Sequence, residues 1–311
     1  MMLEIKGLVK KFGNHTAVNG LDMSVEKGSI FGFVGPNGAG KTTTMKIMCG
    51  LLKADGGSIF VDRNDVLKKS DDIRERIGYM PDFFGVYDDL KVKEYMDFYE
   101  GAYYIPYQER KAITDRLLDM VNLADKKEVY VDSLSRGMKQ RLCLARSLVH
   151  NPDILVLDEP ASGLDPRARM EMKTILKRLS EEGKTIIISS HILPELSQMC
   201  SHIGIIEKGK MVAQGTVEEI ADMVSGKTVI TVTVIDKKDE LIKFLSTENM
   251  CTDIKPLPMG AEFSFSGNES DLAGLLFRIV SEGLPVVGFD KKKHDLENIF
   301  MVVTGGEGDN A

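Results

Sequence analysis

The sequence predicts an α/β fold built around a parallel sheet, followed by a small α+β unit. Three observations lead to it. Apolar runs of strand length, Ser29–Val34, Ile154–Leu157 and Thr185–Ser190, end in a glycine loop, in paired carboxylates and in a histidine. Uninterrupted runs of this kind belong to parallel sheets, whose ligands bind beyond the carboxyl ends of the strands. Between the first run and a helical pattern lies Gly35-Pro36-Asn37-Gly38-Ala39-Gly40-Lys41-Thr42, which fits the phosphate-loop spacing G-x-x-x-x-G-K-[ST]. From about residue 227 the pattern changes to short β-branched strands and short amphipathic helices.

The loop carries a definite chemistry. Its glycines let the backbone curl so that N–H groups converge into an anion nest. Lys41 can reach the outer phosphates of a nucleotide, and the Thr42 hydroxyl can sit on Mg²⁺. The helix expected from Thr42, with Met45, Met48 and Leu52 on one face, points its positive end at the same phosphates.

The bulk numbers bound the rest. A chain of 311 residues suggests two domains. A net charge of −7 and a pI near 5.4 argue against broad nucleic-acid binding, which needs a basic face. Cys49, Cys143, Cys200 and Cys251 stand far apart and form no C-x-x-C pair. They read as buried apolar residues of a reducing compartment, not as zinc ligands. Met1–Lys6 does not read as a signal peptide. The longest stretch free of Asp, Glu, Lys and Arg is thirteen residues, Gly28–Gly40, whereas a spanning helix needs about twenty apolar residues. A soluble chain is expected, with any membrane role exercised through a partner.

Leu3–Leu8 alternates as a first strand, Lys10–Asn14 reads as a turn, and Ala17-Val18 resumes the sheet. Phe12 is either a core aromatic or a stacking surface for an adenine ring, and its position alone favours the core. Gly56–Asp62 reads as a turn followed by a short strand, and Ile77–Pro81 as another short strand, ending at a proline. Between Phe83 and Tyr107 fall nine of the 21 aromatic residues. That density suggests either a surface that another protein covers or the aromatic core of a small helical subdomain. Ile113, Leu117, Leu118 and Val121 mark an amphipathic helix. Ser135 reads as the N-cap of a helix with Met138, Leu142, Ala145 and Val149 on one face. Asp158 is placed to hold Mg²⁺ through water, and Glu159 to orient or deprotonate an attacking water. Ser162–Pro166 is a turn into a helix, and His191 closes a buried strand. Ile203–Glu207 with Lys210–Gln214 reads as a hairpin, and Thr216–Met223 as a short helix.

These motifs, in this order, resemble the ATP-binding subunit of an ATP-binding cassette (ABC) transporter over roughly residues 1–225. Gly35–Thr43 is similar to the Walker A loop, Leu134–Arg141 to the signature motif, and Ile154–Glu159 to Walker B. Ser162–Asp165 is similar to the D-loop and His191 to the switch histidine. The resemblance implies a P-loop NTPase cassette with a helical signature subdomain. It implies ATP and Mg²⁺ as ligands, with Gly35, Pro36, Asn37, Gly38, Ala39, Gly40, Lys41, Thr42 and Thr43 on the phosphates. It turns Phe12 into the adenine-stacking aromatic. Glu159 and His191 become the catalytic pair, and Thr42, Asp82 and Asp158 the metal side. Two copies are expected to pair head to tail, so that Ser135 and Gly137 of one copy meet the ATP of the other. The chain departs from the family pattern in two places. Asp82 stands where a glutamine is usual, and Arg136 and Met138 replace a glycine and the glutamine of L-S-G-G-Q.

The second unit is expected as β-α-β-β-α-β, a ferredoxin-like order. Its strands are Thr228–Ile235, Cys251–Leu257, Glu262–Ser266 and Pro285–Phe289. Its helices are marked by Leu241, Phe244 and Leu245 and by Leu272, Leu275, Leu276 and Ile279. Lys291–His294 reads as a solvated turn, Asp295–Phe300 as a last helix that resembles cassette tails of the ABC-2 exporter class, and 305–311 as a disordered tail. The expected division is 1–225 for the cassette, 226–304 for a regulatory or accessory domain and 305–311 for the tail. The expected function is ATP-driven export through a separate membrane-spanning subunit, with the chain peripheral on the cytoplasmic face. The rival is a soluble ABC-type ATPase acting on ribosomes or DNA.

Overall fold

A computed structural model of the chain describes residues 1–65, 75–83, 85, 87, 89–192, 196, 199–216, 218–220 and 228–291. The chain divides into two compact units, Met1–Val217 and Glu218–Ala311. The expected helix 295–300, the tail 305–311, Phe84 and Lys292–His294 lie outside the described residues, as does the expected boundary near 225.

The first unit holds two sheets. A four-stranded antiparallel sheet runs β2-β1-β4-β5, from β1 (Leu3–Phe12), β2 (His15–Val25), β4 (Gly56–Val61) and β5 (Asn64–Asp65). The strand β1 is longer than its alternation suggests. Lys10 and Lys11 stay in it because Asp55 accepts from the Lys11 N–H at 2.6 Å and from Lys10 Nζ at 3.2 Å. Only Gly13 and Asn14 turn the chain.

The six-stranded sheet runs β10-β9-β3-β8-β7-β6. Its strands are β3 (Ile30–Val34), β6 (Ile77–Met80), β7 (Ile154–Leu157), β8 (Thr185–Ser190), β9 (His202–Glu207) and β10 (Lys210–Thr216). All pairings are parallel except β9 with β10. Every residue of β3, β7 and β8 is buried, which is why these strands read as unbroken apolar runs. Their carboxyl ends therefore open on one edge of the sheet. Thr216 closes β10 instead of opening a helix; residues 218–220 are helical, and 217 and 221–223 lie outside the described residues.

Helices pack around this sheet. They are α1 (Lys41–Met48), α2 (Val92–Ala102), α3 (Tyr107–Met120), α4 (Arg136–Ser147) and α5 (Pro166–Glu181). Met45, Ile47 and Met48 of α1 are buried in a core shared by both sheets with Leu8, Leu21, Phe31, Phe33 and Val156. In α2 and its flanks the aromatics split. Tyr95 is buried, with Tyr99 5.0 Å away between ring centres, while Phe83, Tyr104 and Tyr107 are 79–93% exposed. Tyr95 thus fits an aromatic core of the helical part, while the exposed rings are not part of it.

The second unit is β11 (Thr228–Val234), α6 (Lys238–Thr247), β12 (Cys251–Leu257), β13 (Gly260–Phe265), α7 (Glu269–Ser281) and β14 (Val286–Lys291). Its antiparallel sheet runs β12-β13-β11-β14. Ile230, Val232, Leu241, Leu245, Phe263, Phe265, Leu275 and Ile279 form a core of its own.

Candidate functional site

The glycine loop leaves the end of β3 and is clamped from two sides. A Cβ on Gly35 would stand 2.4 Å from the Ile206 carbonyl oxygen, and one on Gly40 would stand 2.4 Å from that of Ala17. Gly40 has φ +107°, a left-handed backbone that glycine adopts without strain. The Gly209 N–H donates to the Ala39 carbonyl at 2.9 Å, tying the loop to the β9–β10 turn. Gly40 caps α1 without any side-chain hydrogen bond. No capping side chain occupies the N–H groups of the first turn, an arrangement that suits an anion. Lys41 Nζ donates to the carbonyls of Gly35 at 2.6 Å and Pro36 at 3.2 Å. Burial lowers the Lys41 pKa, while the nearby Glu159 and Asp158 charges push it back up.

An open cleft of about 310 Å³ lies over this loop. Asn37 to Thr43 form its floor, and Phe12, His15, Ala17, Asp82 and Glu159 complete its walls. Phe12 is half exposed on this cleft, so the position-based reading of a core aromatic is overturned. The two-residue turn at Gly13-Asn14 sets Phe12 opposite His15 and holds both out at the tip of the β1–β2 hairpin. His15 was missed by the sequence reasoning, although that turn spacing would have paired it with Phe12.

The acidic side is built at the end of β7. The Asp158 N–H donates to the Met80 carbonyl at 2.8 Å, which straps the exit of β7 to that of β6. Asp158 is 1% exposed. Its Oδ1 accepts from Ser189 Oγ at 2.6 Å, and its Oδ2 is buried with no hydrogen-bond partner among the described residues. A carboxylate oxygen orphaned in this way fits a cation ligand. Together with the Thr42 hydroxyl and the Asp82 carboxylate in the cleft wall, the donor set is all oxygen, as Mg²⁺ requires.

Glu159 follows with φ +50°, an uncommon backbone for a side chain of this size. Its N–H donates to Ser189 Oγ at 3.0 Å. Its carboxylate faces His191, whose Nδ1 lies 3.1 Å from Oε1 and 3.2 Å from Oε2. A carboxylate only accepts, so Nδ1 carries the proton of that contact. Burial raises the Glu159 pKa; His191 and the Lys41 charge oppose the rise, and Asp158 adds to it. A carboxylate held reluctantly charged beside a phosphate loop is suited to take a proton from water.

Ser135 and Gly137 stand apart from this cleft. Ser135 is exposed and caps α4, accepting from the Met138 N–H at 3.3 Å. Gly137 is buried where α4 meets α5: a Cβ there would lie 3.0 Å from that of Ala168. The start of α4 is tied to the loop before α5. Gln140 Nε2 donates to the Ser162 carbonyl at 3.1 Å, and the Arg136 guanidinium lies over Gly163, where a Cβ would stand 2.5 Å from its central carbon. Within one chain, then, Asn37–Thr43, Phe12, Asp82 and Glu159 share a cleft, with Asp158 behind it and His191 on Glu159, while the start of α4, with Ser135 exposed and Gly137 buried against α5, is a separate face.

Comparisons with known proteins agree with this geometry. A family model described as ABC transporter matches residues 18–162. The chain is 31% identical over 307 residues to the linearmycin resistance ATP-binding protein LnrL of Bacillus subtilis, covering 98% of each. It is 34% identical over 314 residues to the Nod factor export ATP-binding protein I of Burkholderia orbicola, covering 98% of this chain and 97% of the other. Among solved structures, an ATP-binding subunit of an ABC transporter superposes with a TM-score of 0.64 at 26% identity, covering 72% of this chain and 93% of its own. A bacterial ABC transporter cassette solved as a dimer gives a TM-score of 0.63 at 25% identity, covering 70% and 99%.

Proposed function

The chain belongs to the ABC transporter family as an ATP-binding subunit with ATPase activity, and we propose that it powers export through a separate membrane-spanning subunit, from the cytoplasmic face. The observation that carries this reading is the convergence at one sheet edge. The loop after β3, the carboxylates after β7 and the histidine after β8 leave three neighbouring strands on the same side.

In this reading the ATP base stacks on Phe12, and its phosphates rest on the N–H groups of residues 38–43 at the positive end of α1. Lys41 leaves the Gly35 and Pro36 carbonyls for the outer phosphates. Thr42, Asp158 and Asp82 would hold Mg²⁺, which would supply positive charge to offset that of the phosphates. Glu159 orients the attacking water and takes its proton, and His191 holds the carboxylate in place. The separate face at the start of α4 is where a second copy docks. Ser135 and Gly137 of that copy then close the cleft head to tail, adding a helix N-terminus to the γ-phosphate. ATP joins the pair, hydrolysis parts it, and the motion drives the membrane subunit. The exposed Phe83, Tyr87 and Phe98, the last two in ring contact, form the surface for that subunit together with Asp82.

Among the described residues no helix is long and apolar enough to cross a membrane. The relatives named for resistance and for Nod factor export are the support for the direction of transport. Gentle extraction of native membranes with a tag on this chain tests the proposal. A multi-spanning protein recovered in near-equal amount is expected. Recovery with ribosomes, with DNA or only from the soluble fraction would overturn it.

A further inference from the structure

We propose that Ser189, a residue outside the recognised motifs, is the positioning residue that sets the metal-facing and water-facing carboxylates of Asp158 and Glu159 together. The proposal rests on the ATPase reading above and adds a component to that site.

Ser189 is wholly buried near the end of β8, next to β7 in the sheet. Its single hydroxyl makes two bonds. Oγ accepts from the Glu159 N–H at 3.0 Å and lies 2.6 Å from Asp158 Oδ1. The directions are forced. An amide N–H can only donate, so the hydroxyl hydrogen is left for Oδ1, which must accept it. With Oδ1 occupied, the other oxygen, Oδ2, is the one left buried and without a partner among the described residues. That oxygen is then the one offered to a cation.

The second bond acts on the neighbour. Glu159 sits in a left-handed backbone that a glutamate rarely adopts, and the Ser189 hydroxyl holds the N–H of that same residue. Two residues further along, His191 holds the Glu159 carboxylate. The segment Ser189–His191 thus grips Glu159 at its backbone and at its side chain. Ser190 plays no part in this: its hydroxyl faces the other way and accepts from the Ile192 N–H at 3.0 Å. The alternation of the strand is what assigns the task to Ser189 alone.

Replacing the hydroxyl by hydrogen leaves two polar groups without their partner, while a threonine keeps the oxygen. The test compares Ser189→Ala and Ser189→Thr with the native full-length chain in three readouts. These are Mg-ATP turnover against Mg²⁺ concentration, Mn²⁺ affinity by electron paramagnetic resonance with a non-hydrolysable ATP analogue, and binding of a fluorescent ATP analogue in EDTA. Ser189→Ala is expected to lower kcat at least tenfold and to weaken Mn²⁺ at least fivefold. Metal-free nucleotide binding should stay within about twofold, and Ser189→Thr should recover most of the loss. Native kcat and native Mn²⁺ affinity in Ser189→Ala would overturn the proposal. So would an equal loss of metal-free binding that threonine does not rescue, which would make Ser189 a packing residue. A native chain with no turnover above Glu159→Gln would instead sink the ATPase reading, and the Mn²⁺ and metal-free arms would still judge Ser189.

Discussion

At the residue scale the charge of Glu159, the proposed base, depends on the groups around it. Burial raises its pKa above the ordinary glutamate value, and the base works only when ionised. Turnover should therefore fall as the pH is lowered, along a limb centred above the ordinary glutamate range. His191 is one of the groups that hold this pKa down. His191→Ala should move the limb to higher pH and lower kcat, whereas metal-free nucleotide binding should not change. A pH–rate profile checks this, and a limb moving to lower pH would contradict the arrangement. Lys41 behaves differently. It is 7% exposed and bonded to its own loop, so Lys41→Ala should cost at least tenfold in ATP affinity while leaving the fold intact.

At the element scale, the loop after β3 works because two glycines touch backbone on both sides. At Gly40 an added methyl meets the Ala17 carbonyl and demands a left-handed backbone. Gly40→Ala should thus displace the nest and reduce ATP binding at least tenfold, with unchanged circular dichroism of the sheet. The loop was legible because its spacing is local. The helix α4 was legible for the same reason, and Ser135 caps it. What a local pattern hides is its second neighbour. Gly137 is a packing glycine against α5, and Arg136 covers Gly163. In the aromatic stretch, period alone does not separate the buried Tyr95 from the exposed Tyr87 and Phe98, which touch edge to face at 5.2 Å. Tyr87→Ala should leave ATPase activity within about twofold and lower transport severalfold, measured side by side in vesicles.

At the scale of the whole molecule, each of the two units holds a core of its own. Phe263 is buried in the second, which shares no residue with the core around α1. Phe263→Ala should destabilise the second unit by about 3–5 kcal/mol. Calorimetry should show one transition moving down while the nucleotide-stabilised transition stays in place; a joint shift would mean that the units fold as one. We expect a chain without residues 226–311 to keep Mg-ATP binding and to lose part of its ATP-dependent dimerisation. Unchanged dimerisation would remove the case for a regulatory role of the second unit.

The sequence by itself determined the phosphate loop, the carboxylates after β7, the histidine after β8 and nearly every strand of the parallel sheet. Each depends on short spacings or on a run of residues buried on both faces, and neither needs a distant partner to be read. Only the tertiary structure decided the rest. Phe12 faces the cleft because a hairpin closes beside His15, and Lys10-Lys11 stay in β1 because Asp55 reaches them from 44 or 45 residues away. Ser189 meets Asp158 and Glu159 only because β8 lies against β7. Such contacts come from pairing between remote segments, and a hydroxyl inside an apolar strand carries no local sign of the partner it will hold.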